Sequence, residues 1–249
     1  MSYQIKALRA LEDNYIWVIY NQKSAIVVDP TLADPVDEFL QQNNLQLSCV
    51  LLTHGHSDHI GGVAGLVNKY SPQIVDNFSN QLADASNVQI DGFPLIQVIL
   101  TPGHMYEHVC YLFDNKHLFC GDTLFSLGCG RVFTNDYQLM YDSLTKLKKL
   151  ENNVLCYPAH EYTLNNLRFT LELDDENQEH YADFINKIDS KLFEKQNSLP
   201  TVLSDESKYN LFLRDNDARL WSVVGKKSES VITNGFEYFK QLRMIRNNF

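Results

Sequence analysis

The sequence lacks both an excess of positive charge and a long apolar run. Of its 249 residues, 21 are Lys or Arg and 31 are Asp or Glu, so the formal net charge is -10. Nucleic-acid binding needs a basic surface, and we therefore predict no nucleic-acid partner. A membrane-spanning helix needs about 20 consecutive apolar residues, so we predict no membrane partner either. A small anionic ligand is still compatible with this composition, because it needs only a local basic patch.

Cysteine is sparse, and its spacing suggests no paired motif. The five cysteines form no Cys-x-x-Cys pair, and most lie inside apolar runs such as Cys49–Leu52. We predict free, buried thiols in a reducing cytoplasm. The first residues, Met1–Lys6, also lack the apolar core of a secretory signal, which favours the same compartment. The cysteines are Cys49, Cys110, Cys120, Cys129 and Cys156.

The first two thirds of the chain read as strands separated by loops. Residues 15–20 are aromatic and β-branched, and residues 25–30 follow a short polar turn, so a hairpin is predicted. Pro35 is expected to open a helix after Asp34. Neighbouring strands with helices between some of them indicate two packed sheets with helices outside. Further strands are predicted at 49–52, 96–100, 109–113, 118–120 and 154–157.

The pattern becomes helical after about residue 162. Apolar residues recur at helical spacing in 176–196, and again in 235–249. We therefore predict an α+β chain with a sheet-rich domain over residues 1–165 and a smaller helical domain over residues 166–249.

Four side chains of the metal-binding type follow the predicted strand 49–52. They come from one loop, where Gly55 supplies backbone freedom that a helix would not allow. Zinc and iron prefer imidazole nitrogen and carboxylate oxygen, so the group predicts a metal site, although a histidine-rich surface loop is the simpler alternative. The four are His54, His56, Asp58 and His59.

Three more candidates each follow an apolar run that reads as a strand. They are His104, Asp122 and His160. Any one of them alone is more often a structural turn residue, but four loops of this kind favour a shared site. A carboxylate such as Asp122 can bridge two cations held about 3.5–4 Å apart. The seven side chains together predict a centre with two metals.

These motifs resemble the metallo-β-lactamase superfamily and, within it, the glyoxalase II family of hydroxyacylglutathione hydrolases. The superfamily motif is specific for metal binding, whereas the narrower likeness rests on the segments around Arg131 and Tyr162. The segments that carry the resemblance are Leu11–Trp17, Thr53–His59, Pro102–His104, Gly121–Thr123, Gly128–Phe133 and His160–Leu167.

The resemblance implies a four-layer αβ/βα sandwich followed by a helical domain. It also implies that one metal is held by His54, His56 and His104. The second would be held by Asp58, His59 and His160, with Asp122 between the two. The implied cofactors are two divalent ions, zinc first, with iron or manganese also suited to these ligands.

The implied reaction is hydrolysis of S-(2-hydroxyacyl)glutathione thioesters, such as S-lactoylglutathione, to glutathione and a 2-hydroxy acid. This reaction belongs to methylglyoxal detoxification. Water shared by two cations is acidified enough to supply a hydroxide that attacks the carbonyl. The thiolate leaves readily because its conjugate pKa is about 8.5. Asp58 is predicted to orient that hydroxide, and Asp29 either to support a ligand histidine or to form a turn before Pro30.

The last helix carries two arginines inside its apolar arc. Arg243 and Arg246 lie among Phe239, Leu242 and Ile245 at helical spacing. Charges on an apolar face are costly without partners, so the pair either binds an anion or extends past the apolar surface to water. The resemblance implies that both bind glutathione. It implies further substrate contacts from Arg131, Phe133 and Tyr162.

The sequence departs from the family pattern at three places. Met105 and Glu107 stand where the family usually has Thr and Gly, which raises the question of how the loop orients His104. Residues 209–214 lack the family's Asn-Pro-Phe, and Asn247 replaces an Asp. His108 matches a family histidine that is not a ligand, and we expect it to be structural.

Two other functions are compatible with these motifs. One is a different superfamily hydrolase, such as another thioesterase, a phosphodiesterase or a lactamase. The acidic charge disfavours a nuclease, and the second set of ligands disfavours an enzyme with a single iron. The other is a metal-stabilised binding protein without activity, which a retained seven-ligand set disfavours. We expect a monomer.

Overall fold

The first sheet is built from the N-terminal third of the chain. The computed structural model describes residues 2–194 and 197–249. Strand order is β1-β2-β3-β4-β5, with β1, β2 and β3 antiparallel and β3, β4 and β5 parallel. The strands are β1 Gln4–Ala10, β2 Asn14–Tyr20, β3 Ser24–Val28, β4 Gln46–Leu51 and β5 Gln73–Val75.

The second sheet has the order β13-β12-β9-β8-β7-β6. Its β9 and β12 are parallel, and its other neighbours are antiparallel. A separate two-stranded ribbon pairs β10 Leu124–Phe125 with β11 Gly128–Cys129. The sheet strands are β6 Asn87–Val88, β7 Ile96–Leu100, β8 Val109–Phe113, β9 His117–Gly121, β12 Leu155–Pro158 and β13 Thr201–Val202.

Ten α-helices lie in the described ranges. Several begin where a side chain caps the first N–H groups, as Asp136, Asp217 and Asn234 do. They are α1 Ala33–Gln42, α2 Ser57–Ile60, α3 Val63–Tyr70, α4 Asn77–Asn80, α5 Tyr137–Leu147, α6 Thr163–Leu173, α7 Ala182–Phe193, α8 Leu203–Tyr209, α9 Ala218–Ser228 and α10 Gly235–Asn247. Among the described residues, no helix is both long enough and apolar enough to cross a bilayer.

Alternation along β2 shows how the layers are packed. Tyr15 and Trp17 point into a core shared with Tyr111 of the second sheet, whereas Ile16 and Val18 point the other way, onto α1 and α3. On the outer face of the second sheet, residues of β8 and β9 pack against α5, α6 and α10. Two sheets face each other with helices on both outer sides, which confirms the predicted four-layer α+β fold.

Helices α6, α8, α9 and α10 share the outer core of the second sheet, whereas α7 packs in a separate cluster with Leu127 and Tyr209. Tyr238 and Leu242 lie in the same buried cluster as Cys110 and Cys120 of the sheet. Strand β13 also comes from this region and pairs antiparallel with β12. The domain boundary near residue 165 stays a prediction.

Several predicted elements are confirmed and some differ. β2 and β3 form the predicted hairpin, and the predicted strands 96–100 and 109–113 match β7 and β8. The helix predicted at 176–196 is instead a 3-10 segment, Asp175–Tyr181, followed by α7, because Asn177 leaves helical geometry (φ -132°, ψ 31°). Its predicted last residues, 195–196, lie outside the described residues. The helix expected to open at Pro35 begins two residues earlier, at Ala33.

Candidate active site

The predicted ligands follow strands that end on one side of the two sheets. His54 and His56 follow β4, His104 follows β7, Asp122 follows β9 and His160 follows β12. Parallel pairing of β9 with β12 places their carboxyl ends together, and His160 Nε2 lies 3.4 Å from Asp122 Oδ1. The structure therefore brings these side chains into one cluster.

Three histidines form the first group of nitrogen donors. His56 Nδ1 lies 2.9 Å from His54 Nε2 and 3.1 Å from His104 Nε2. Burial lowers the pKa of both His54 and His104, so both imidazoles are neutral. Neutral imidazole is the form that binds a metal.

The second group contains one carboxylate and two histidines. Asp58 Oδ2 lies 3.6 Å from His160 Nε2 and 3.8 Å from His59 Nε2. Within this group His59 and His160 are buried, whereas the Asp58 side chain is 37% exposed. Asp58 therefore faces both its partners and solvent.

Asp122 lies between the two groups and faces each with a different oxygen. Its Oδ1 is 3.4 Å from the Nε2 atoms of both His59 and His160, and its Oδ2 is 3.5 Å from His104 Nε2. This is the arrangement expected of a carboxylate that bridges two cations.

A hydrogen bond behind the ring fixes the orientation of three histidines. His59 Nδ1 donates to Asp29 Oδ2 (3.0 Å), and His160 Nδ1 donates to Asp13 Oδ1 (2.8 Å). His104 Nδ1 donates to the Arg131 carbonyl (2.8 Å). Since these acceptors carry no hydrogen, each ring in its neutral form has its lone pair on Nε2, which points into the cluster.

Asp29 supports the cluster through the preceding threonine as well. Its Oδ1 accepts the Thr53 N–H (2.8 Å), and its Oδ2 accepts the Thr53 hydroxyl (2.7 Å). Because the Thr53 hydroxyl proton is donated to Asp29, Thr53 Oγ1 accepts a hydrogen bond from His54 Nδ1 at 3.1 Å. Asp29 also has a left-handed backbone (φ 49°), so the chain turns at this residue before Pro30. Asp29 therefore both supports a histidine and forms a turn, the two alternatives that the sequence left open.

Two buried atoms in the cluster have no hydrogen-bond partner, His59 Nε2 and Asp122 Oδ1. Unpaired buried polar atoms are costly, and both are atoms that bind divalent cations. Burial by itself lowers the pKa of His59, but Asp122, Asp29 and Asp58 outweigh it and raise that pKa to about 9. The surrounding carboxylates thus favour a positive charge at this point, and the residues present fit a metal pair.

His108 lies behind the donor cluster and contacts the backbone of Asp122. It is buried, stacks on the His54 ring at 4.9 Å, and its Nε2 accepts the Asp122 N–H at 3.1 Å. It belongs to neither donor group, in keeping with the structural role that we expected. Gly121 makes the close approach feasible, because a Cβ there would lie 2.5 Å from Thr53 Oγ1 and its φ is +47°.

The departures at 105 and 107 leave His104 in place. The Met105 carbonyl accepts the N–H groups of Gly103 (3.1 Å) and His108 (3.4 Å), which closes the loop around His104. The Glu107 carbonyl accepts from Asn77 Nδ2 at 3.0 Å. Backbone groups maintain the loop, so side-chain changes at these positions are tolerated.

A cavity of about 310 Å³ adjoins the cluster. The cavity lies beside the donors because Tyr162, which lines it, stacks on the His160 ring at 4.9 Å with an interplanar angle of 5°. A second lining residue, Arg131, holds His104 through its carbonyl. The cavity is lined by Phe125, Cys129, Arg131, Tyr162, Asn166, Arg243, Arg246, Asn247 and Phe249.

The two arginines of α10 both line this cavity. Arg243 is buried, and its Nη1 donates to the Cys129 carbonyl at 2.8 Å. Arg246 Nη2 donates to Asn166 Oδ1 at 3.3 Å. The predicted Phe133 is 52% exposed and packs edge-on against the rings of His56 and His104, outside the cavity.

Sequence reasoning missed three supporting contacts. Asp13 holds His160, Thr53 holds His54, and Asn14 Nδ2 donates to the Asp58 carbonyl at 3.2 Å. Each lies in a segment that carries the family resemblance, but its role depends on contacts between distant parts of the chain. All five cysteines are free and buried, as predicted.

Comparison with known proteins decides the family. Residues 10–77 and 73–160 match the metallo-β-lactamase superfamily, and residues 161–249 match the C-terminus of hydroxyacylglutathione hydrolase. The hydroxyacylglutathione hydrolase of Haemophilus ducreyi is 40% identical over 234 residues, which cover 91% of this chain and 99% of that protein. The chain belongs to the hydroxyacylglutathione hydrolase family. Membership of this hydrolase family confirms the predicted class of enzyme.

Solved structures confirm the fold of this hydroxyacylglutathione hydrolase family member. ETHE1 from Myxococcus xanthus has a TM-score of 0.69 at 21% identity, covering 99% of this chain and 92% of that chain. A metallo-β-lactamase from Staphylococcus aureus has a TM-score of 0.66 at 17% identity, covering 98% and 71%. At such identities the likeness concerns the fold alone.

Proposed function

We propose that the chain hydrolyses S-(2-hydroxyacyl)glutathione thioesters, such as S-lactoylglutathione, at a centre with two metals. The observation that carries the proposal is the basic cavity beside the donor cluster, because Tyr162 lines the cavity and stacks on His160. A glutathione thioester has a carbonyl to be attacked at one end and carboxylates to be bound at the other. The family membership supports the same substrate class.

The proposed ligands fall into two sets around Asp122. His54, His56 and His104 would hold one ion, and Asp58, His59 and His160 the other, with Asp122 shared. Zinc is the first choice for these donors, and iron or manganese also suits them. When bound, two such ions acidify water and polarise a carbonyl.

The side chains of this chain supply positioning for the reaction. Asp58 is exposed toward solvent while facing His59 and His160, so it can orient the attacking water. Asp29, Asp13 and the Arg131 carbonyl keep the Nε2 lone pairs directed into the cluster. The departing thiolate needs little acid assistance, since its conjugate pKa is about 8.5.

Arg243 and Arg246 would bind the glutathione carboxylates. Charge-assisted hydrogen bonds to arginine are about twice as strong as neutral ones, and a cavity with two arginines suits a ligand with two carboxylates. Tyr162 would add a phenol donor, because burial raises its pKa above the ordinary value of 10 and keeps the hydroxyl protonated. Arg131 and Phe133 would contact the substrate at the cavity entrance.

The deciding experiment is turnover of S-lactoylglutathione by purified protein, combined with metal analysis. We expect hydrolysis, close to two metal equivalents per chain, and loss of activity on chelation. Full activity with one equivalent would contradict the two-metal centre. Turnover of a lactam or phosphodiester without thioester hydrolysis would favour another superfamily activity, and metal binding without any turnover would favour a binding protein.

The monomeric state, the cytoplasmic location and the division near residue 165 are retained as predictions from the sequence. Light scattering on the purified protein would test the first, and limited proteolysis around residue 165 the last.

A further inference from the structure

The segment of residues 122–131, here called the connecting hairpin, links the donor cluster to the cavity. It begins at the bridging Asp122, runs through β10 and β11, and ends at Arg131, whose carbonyl holds His104. At its middle the Cys129 carbonyl accepts from Arg243 Nη1 at 2.8 Å. The placement of the cavity arginine therefore depends on the placement of this hairpin.

The tip of the connecting hairpin is held by α8 and the residue that follows it. Glu206 Oε2 accepts the Leu127 N–H at 2.8 Å. Asn210 Nδ2 donates to the carbonyls of Phe125 (3.2 Å) and Gly128 (3.0 Å), and also to Glu206 Oε2 (2.9 Å). Leu127 has φ 57°, a strained conformation for a branched side chain, so the turn needs external support.

Glu206 is a buried acid with uncharged partners. Its side chain has 0% exposure, and its Oε1 accepts the Thr201 hydroxyl at 2.6 Å. Its hydrogen-bond donors are the Thr201 hydroxyl, the Asn210 amide and the Leu127 N–H, none of which carries a positive charge. Burial raises the pKa of Glu206 to about 7 despite these donors. Such a group is expensive to keep in a core, which makes a purely space-filling role a poor explanation.

The bridging end of the connecting hairpin is held independently of Glu206. The Asp122 N–H is bound by His108 Nε2, and the Thr123 hydroxyl is 3.0 Å from His108 Nδ1. At the tip, Asn166 binds the Ser126 carbonyl with its amide nitrogen (3.0 Å) and Arg246 with its amide oxygen (3.3 Å). A displaced tip would thus disturb the contacts of both arginines, while His108 keeps its hold on the Asp122 end.

We propose that Glu206 is a positioning residue for the cavity, holding the connecting hairpin so that Arg243 and Arg246 are aligned for the anionic end of the substrate. The proposal rests on the function proposed above. Glu206 governs substrate affinity through the backbone of Leu127 and the side chain of Asn210, although it is itself fully buried.

The test compares two conservative variants, assayed at pH 8, where the Glu206 carboxylate is ionised. Glu206→Gln keeps the length, so its oxygen can accept from Leu127 and Asn210 while its amide donates to Thr201 Oγ1. Glu206→Asp keeps the charge but shortens the reach, leaving the Leu127 N–H unpaired. We expect Glu206→Asp to raise KM for S-lactoylglutathione by about 10-fold. In both variants kcat should stay within about 3-fold and metal content at the parent value, and Glu206→Gln should keep the parent KM within about 3-fold.

Asp174→Asn is the matched control. Asp174 is equally buried and pairs with Arg219 and Tyr181 among the C-terminal helices, without touching the connecting hairpin. It should lower thermal stability with KM unchanged. An unchanged KM in Glu206→Asp, or a KM change matched by Asp174→Asn at equal loss of Tm, would overturn the proposal. Failure of the parent protein to hydrolyse the thioester would instead refute the proposed function, so the two failures are separable.

Discussion

The donor cluster and the arginine cavity are neighbours, yet they hold their polar side chains differently. Each of His54, His59, His104 and His160 has its rear nitrogen tied to a fixed acceptor. Each arginine has one hydrogen bond, to the Cys129 carbonyl or to Asn166, and otherwise rests on aromatic faces. Arg243 lies 5.3 Å from the Phe212 ring centre, and Arg246 lies 5.3 Å from Phe169 and Phe249.

The difference bears on how the donor cluster and the arginine cavity would each bind a ligand. In the donor cluster the orientation is fixed in advance, so little reorganisation is required of the ligands. In the cavity, Arg243 Nε is buried without a hydrogen-bond partner, and burial together with Arg243 lowers the pKa of Arg246. An anionic ligand would give Arg243 Nε an acceptor and would give Arg246 a counter-charge.

The largest expected effect is in the donor cluster, at Asp122. Asp122→Asn keeps the shape but removes the charge that faces both donor groups at 3.4–3.5 Å. We expect metal affinity and turnover to fall by more than about 100-fold, beyond the usual cost of losing a supporting group. Metal analysis and kcat measure this. An Asn variant as active as the parent would show that Asp122 is not the bridge.

The next effect is in the cavity, at Arg243. Arg243→Ala should raise KM for a glutathione thioester by about 10- to 150-fold, because one charge-assisted bond is lost. Turnover should change little if the contact is equal in ground and transition states. A small thioester without the glutathione carboxylates should be a poor substrate for parent and variant alike. An unchanged KM in both Arg243→Ala and Arg246→Ala would place glutathione elsewhere.

A smaller effect is expected from Asp29, which supports the cluster without belonging to it. Asp29→Asn weakens the hold on His59 Nδ1 and Thr53. We expect metal affinity to drop by about 10- to 100-fold, less than for Asp122→Asn. Competition with a chelator would measure the metal affinity of both variants. A weaker affinity in Asp29→Asn than in Asp122→Asn would contradict the assignment of Asp122 as the bridge and Asp29 as a supporting residue.

The smallest effect is expected from Tyr162, which touches both halves. Tyr162→Phe keeps the stack on His160 and removes one neutral donor, so KM should rise by roughly 2- to 13-fold. Because burial raises the pKa of Tyr162, the phenol stays protonated through neutral pH and above. The KM of the parent should therefore show no break near pH 10 from this residue. Loss of metal from the Phe variant would contradict its assignment to the cavity.

The donor set was predictable from sequence because chemistry and position coincide there. His54 and His56 directly follow a buried strand, and Asp122 and His160 each follow another, so strand ends alone predict a cluster. Strands such as β7 and β8 were predictable for a similar reason, since their apolar runs are continuous and bounded by turns.

Features that depend on distant contacts were not predictable. The alternation of polar and apolar residues in β1 breaks at Leu8 and Arg9, and the segment becomes a strand by pairing with β2. Strands β10, β11 and β13 have only two residues each. Glu206 gives no local sign of burial, because its partner Leu127 is 79 residues away. The 3-10 segment before α7 arises from the backbone at Asn177, which the helical spacing of its neighbours conceals.

The place of α10 in the outer core has a consequence for synthesis on the ribosome. Tyr238, Phe239 and Leu242 are buried against the same cluster as Cys110 of the central strand β8. Part of that face is therefore uncovered until residue 242 has left the exit tunnel, although strands β7, β8 and β9 emerge more than a hundred residues earlier. A nascent chain carrying an exposed apolar sheet face is prone to association, so this fold has a window during translation in which chaperone binding would matter most.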